Sequence, residues 1–166
     1  MANKELNYTE VLRKIDELKK GKSFDLSTEE DLAIAIMNLI SLEEHFFFTG
    51  AKTNKSDYFD LLTEVRSIRT KLLSRMIEKT EGEVWCVSKH LLAASMRLFE
   101  VGTKLQSEGK KEEAKEVFSQ AYKIFNMFFA LRLKLVDVSG LKKFPEEGKP
   151  WTMDDIMAKL VDCCKE

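Results

Sequence analysis

The chain has 166 residues, 44% of them hydrophobic and 33% charged, a size and composition that suit one self-sufficient globular core and exclude a chain too polar to fold. Lys plus Arg number 27 against 28 for Asp plus Glu, a formal net charge of -1, so no global field draws in nucleic acid or an anionic membrane surface. The opening MANKELNYTEVLRK lacks the apolar centre of a signal peptide, and no run approaches the roughly 20 apolar residues that span a bilayer. The expectation is a single cytoplasmic domain over residues 1–166. Its three cysteines, Cys86, Cys163 and Cys164, are odd in number, and neighbours on a helix point about 100° apart, so reduced thiols are expected.

In chain order, the apolar positions Val11, Leu12, Ile15 and Leu18 follow helical spacing and predict an amphipathic helix over 9–20, stopped by Gly21. The stretch SFDLSTEED places Ser27 and Glu30 at capping-box spacing and opens a long helix that runs to Phe48, before Thr49 and Gly50. A third helix spans 57–79 with Ser56 as its cap. Gly82 turns the chain into a fourth, which ends near Ser107 ahead of Gly109. A fifth over 111–136 is unusually aromatic. Gly140, Pro145 and Pro150 leave 139–151 as a loop, and Thr152 and Asp155 cap a short last helix over 152–165. No segment alternates with the period of a strand. The fold class is therefore all-α, a bundle of five to six helices.

Leu98, Val101, Gly102 and Leu105, followed by Gly109, Ala114, Phe118 and Ala121, have a spacing that resembles one tetratricopeptide-repeat hairpin over about 95–128. The resemblance implies close helix contact, with Gly102, Ala114 and Ala121 in the small positions and Leu98, Leu105 and Phe118 in the large ones. Asn126 stands where the family's closing proline usually falls, and no second copy lies in register. The whole chain is also similar in architecture to HEPN-type helical domains. The ribonuclease form of that family has an arginine shortly before its histidine. No arginine so precedes His45 or His90, so this likeness implies a non-catalytic, nucleic-acid-associated member.

Winding the helices at about 100° per residue exposes residues that break their faces. In the second helix Leu32, Ile36, Leu39, Phe46 and Phe47 form an apolar stripe with Glu43 at its centre. In the third, Tyr58, Leu62, Val65, Leu72 and Met76 form a stripe with Arg69 at its centre and Arg66 at its edge. A buried charge needs a partner. If these helices are antiparallel neighbours, equal rises from their shared turn put Glu43 level with Arg66, so Glu43 is expected to pair with Arg66 or Arg69.

The fourth helix carries two apolar stripes, one of Val84, Val87, Leu91, Ala94, Leu98, Val101 and Leu105, the other of Trp85, Leu92, Met96 and Phe99, which predicts a central helix covered on both sides. Between them runs a polar strip with Cys86, Lys89, His90, Arg97 and Lys104, and Glu83 at its margin. Cys86 and His90 stand one turn apart, a spacing open to a packed thiol beside an imidazole, to two metal ligands, or to an activated thiolate. His45, at the far end of the second helix, is too distant to join His90. Neither histidine has the Glu-x-x-His spacing of a di-metal bundle.

The fifth helix displays Ile124, Phe125, Met127, Phe128 and Phe129 over more than half its circumference, more than one bundle face covers. Either the terminal helices bury them or they form a groove or homodimer surface. Trp151 anchors the last helix or a partner. No phosphate loop, His-Glu-x-x-His zinc motif or Cys-x-x-Cys pair occurs, so neither catalysis nor a cofactor is expected. The leading expectation is a helical adaptor or self-associating domain, with a protein partner or a second copy bound through Phe125, Phe128, Phe129 and Trp151. The alternatives are an anionic-ligand or metal site on Glu83, Cys86, Lys89, His90 and Arg97, and the HEPN-like nucleic-acid reading.

Overall fold

The computed structural model describes residues 25–78 and 83–135, together with Thr9, Leu12, Arg13, Asp16, Glu17 and Lys20, all six of them helical. Four long helices occupy the described residues: α1 (Leu26–Thr53), α2 (Asp57–Leu73), α3 (Glu83–Ser107) and α4 (Lys111–Arg132). No strand occurs among the described residues, so the chain is all-helical there. The loop expected at 139–151, the last helix expected at 152–165 and Trp151 lie outside them.

The cap of α1 is Asp25 rather than Ser27. Its carboxylate accepts from the backbone N–H groups of Ser27 at 3.2 Å and Thr28 at 3.4 Å and from the Thr28 hydroxyl at 2.8 Å, satisfying donors that the first turn leaves open. Gly50 does not end the helix, which continues to Thr53 and stops at Asn54 in the left-handed region, φ 55°. What Gly50 provides is contact. A Cβ there would stand 2.9 Å from Phe59 Cε1 and 3.3 Å from Tyr58 Cβ, so α1 and α2 cross tightly beside their turn.

α2 stops at Leu73, short of the expected 79, because the chain turns inward to bury Met76 and Ile77. α3 ends where expected. Gly109, at φ 79°, lets Lys110 N–H reach the Leu105 carbonyl at 3.0 Å and its own N–H reach Gln106 at 3.1 Å, the paired bonds of a Schellman stop. The same device ends α4 at Arg132, ahead of the expected 136. Lys134 takes the left-handed conformation, φ 53°, and Leu135 N–H bonds the Ala130 carbonyl at 2.8 Å.

α1 packs with α2, α3 packs with α4, and the two hairpins are joined through α1 against α3. The described helices thus form an open array in the spatial order α2, α1, α3, α4, and α3 is covered on two sides. The core lies at one end. Ala33 and Ile36 from α1, Leu73 from the end of α2, Met76 and Ile77 from the crossover, Trp85 and Leu92 from α3 and Phe128 from α4 form one cluster, each large side chain supplying about 1.5–3 kcal/mol by burial. Glu29 in the first turn of α1 meets Arg132 in the last turn of α4 at 2.8 Å, closing that end.

The α3–α4 hairpin is held by close approach. A Cβ on Gly102 would lie 2.6 Å from Phe118 Cε1, so the ring rests directly on glycine backbone. Ala114 and Ala121 are buried, and the Ser95 hydroxyl donates to the Ala121 carbonyl at 2.9 Å. α1 is long and apolar enough to cross a membrane by length and composition alone.

Candidate functional site

A charged cluster lies where α2 faces α1. Arg69 Nε donates to Glu43 Oε1 at 2.7 Å and its Nη2 to Oε2 at 3.2 Å, while Arg66 Nε donates to Oε2 at 2.9 Å. Glu43 and Arg69 are buried, Arg69 to 1% exposure, and the fork geometry satisfies both carboxylate oxygens. The Arg66 side chain is 52% exposed and reaches Glu43 from the rim. The structure therefore brings together Glu43 and both arginines. Gly50 and the Asn54 turn set the register that makes them level.

Above this cluster α2 and α3 diverge. They both pack on α1 but not on each other, and the core side chains fill the space between them only at the Trp85 end. Towards the hairpin turns the space remains as an open groove of about 290 Å³, floored by Ile40, Glu43, Glu44 and Phe47 of α1. Leu62, Arg66 and Arg69 of α2 form one wall and Lys89, His90 and Ala93 of α3 the other. Phe47, placed by periodicity in the apolar stripe, is 50% exposed.

One turn beyond Ala93 on the same side of α3, Arg97 clamps the two hairpins. Its Nε donates to Glu44 Oε2 at 2.9 Å and its Nη2 to the Ser41 hydroxyl at 3.0 Å. The groove thus holds two carboxylates that are both engaged by arginines, with Lys89 and His90 in addition. Arg66 and Lys89 on its walls favour an anionic group, and Ile40 and Phe47 on its floor favour an apolar one.

The residues of the polar strip of α3 lie in different surroundings. Cys86 is buried as a free thiol, Lys89 and His90 face the groove, Arg97 is committed to α1, and Glu83 is half-buried at the start of the helix. The reason is axial. Cys86 lies at the end where the core closes, whereas the groove opens only a turn later. Among the described residues no group of three or more His, Cys, Asp or Glu side chains stands close enough to hold a metal.

The aromatic residues of α4 lie in different surroundings. Phe128 is fully buried and belongs to the core, with Phe125 and Phe129 packed against it. Their rings meet edge to face, Phe129 lying 5.3 Å from both Phe125 and Phe128 between centroids, so the three act as a packing unit rather than an open surface. Tyr122 and Met127 are the exposed large side chains of α4. Glu44, Phe47 and Leu62 were not singled out as site residues by the sequence. The signal available was the crowding of three phenylalanines after two glutamates at 43–48.

No family model, curated protein or solved structure matches the chain.

Proposed function

We propose that the protein is a non-catalytic helical interaction domain, and that the groove over α1 takes an amphipathic segment of a protein partner carrying a carboxylate beside apolar side chains. The observation that carries this reading is the half-exposed Phe47 on the groove floor, set between Arg66 on one wall and Lys89 and His90 on the other. Interaction surfaces favour an apolar anchor ringed by polar groups, with arginine enriched among the contributing residues. In this reading Phe47 and Leu62 receive the partner's apolar side chains and Arg66 its carboxylate. Arg69 and Glu43 hold the wall rigid.

Fluorescence anisotropy tests this with a labelled helical peptide whose leucines follow i, i+4, i+7 spacing and are flanked by glutamates. Saturable binding is expected, weakened by Phe47→Ser and by Arg66→Glu, falling with salt, and absent for the same peptide with lysines replacing the glutamates. Equal binding of both peptides sinks the reading. The groove's cations also favour a second reading, a small aromatic or aliphatic carboxylate at the same place. We further propose that α3 and α4 are a single tetratricopeptide-like unit, supported by Gly102, Ala114 and Ala121 occupying the small, buried positions of the hairpin.

A further inference from the structure

α1 carries two charged residues between Asp31 and Lys52, and both are turned away from its outer side: Glu43 towards α2 and Glu44 towards α3, each held by an arginine. The remaining face, opposite the groove, has no carboxylate, ammonium or guanidinium over 20 residues, a length of about 30 Å. Ile34, Leu42 and Phe48 are exposed on or beside it, Phe48 to 48%. α2 and α4 leave it open, and α3 reaches only its edge, where Arg97 lines a hollow with His45, Phe48, Thr49 and Lys52. Asp31, Ala35, Asn38, Leu42, His45, Thr49 and Lys52 fall along the face in steps of four and three, with Leu42 its central large apolar side chain and Ile34 and Phe48 at its edges.

The geometry points to a homodimer in which this face of α1 packs antiparallel against the same face of a second copy, with the two-fold axis passing near Leu42. The occupant is set by self-complementarity. An antiparallel pair centred on Leu42 lays Leu42 on Leu42 of the second copy and brings Ile34 within about 3 Å in height of Phe48 of the second copy. It places Asn38 opposite His45, two side chains able to share a hydrogen bond. Asp31 of each copy then meets Lys52 of the other at both ends of the seam, so the face's two flanking charges are matched in sign. A parallel pair would instead set Asp31 on Asp31 and Lys52 on Lys52, which repel. Closed two-fold symmetry is the usual outcome of such a self-matching surface. The face is distinct from the groove, so self-association and partner capture stand or fall separately.

The test is light scattering of the full chain across a concentration series. The mass is expected to rise towards twice the chain's 19.2 kDa. Leu42→Asp weakens association at least about tenfold by facing two carboxylates across the axis, while circular dichroism stays helical because the position is exposed. Asp31→Lys alone and Lys52→Asp alone each weaken it roughly three- to tenfold, and the double charge swap restores it. Phe47→Ser leaves the dimer intact while removing peptide binding. A protein that stays monomeric throughout overturns the proposal, whether it is free in solution or co-floats with phosphatidylcholine vesicles. So does a dimer indifferent to Leu42→Asp.

Discussion

Arg69 presents its guanidinium edge to the Glu43 carboxylate from the middle of α2, at 2.7 Å and with both residues buried. Arg66 reaches the same carboxylate from the solvent side. The two arginines are therefore not equivalent. Removing Glu43 strips a buried guanidinium of this carboxylate, and Glu43→Ala is expected to destabilise the fold by about 3–5 kcal/mol. Arg66→Ala, at an exposed position, is expected to cost below about 1 kcal/mol. Urea titration of both variants checks the contrast, and equal losses would contradict it.

Gly102 illustrates a steric demand. Alanine gains about 1 kcal/mol of helix propensity over glycine, yet its Cβ would stand 2.6 Å from the Phe118 ring, and overpacking of that kind costs about 1–3 kcal/mol. Gly102→Ala is expected to lower the melting temperature in the natural chain and to raise it in a Phe118→Leu background. The reversal of sign, read by thermal melts of the natural chain and the three variants, is the diagnostic.

Ser88 is fully buried in α3, and its hydroxyl has no hydrogen-bond partner among the described residues. A buried hydroxyl left without a bond costs free energy that a methyl group does not. Ser88→Ala is expected to stabilise the protein by roughly 1 kcal/mol, measured as a rise in denaturation midpoint with an unchanged slope.

Asp25 gives a pH signature. The hydroxyl of Thr28, then the backbone N–H groups of Ser27 and Thr28, hold its carboxyl below the usual carboxylate range. A carboxyl depressed in the folded state contributes stability above its unfolded pKa and loses it as pH falls through the folded value. Asp25→Ala is therefore expected to melt lower than the natural chain at neutral pH, with the gap closing below about pH 4. Asp25→Asn, which caps without a charge, should show little dependence on pH over the same range. A gap of constant size for the alanine variant would rule out the capping carboxylate.

Local order was legible in the residues alone. Helical periodicity placed all four described helices, Gly109 marked the α3–α4 turn, and the charge at the centre of an apolar stripe picked out Glu43 and Arg69, because a helix surface repeats every 3.6 residues whatever surrounds it. Helix ends were less legible. Gly50 signals a stop, yet tertiary contact with Phe59 makes it a crossing point and moves the end to Asn54. Least legible was which apolar face stays open, as Phe47 and Phe128 show by exchanging the places expected of them. Hydrophobicity says only that each side chain gains by burial. The convergence of the helices at the Trp85 end, and the divergence of α2 from α3 towards the hairpin turns, decided that Phe128 is covered and Phe47 is left at the floor of a groove.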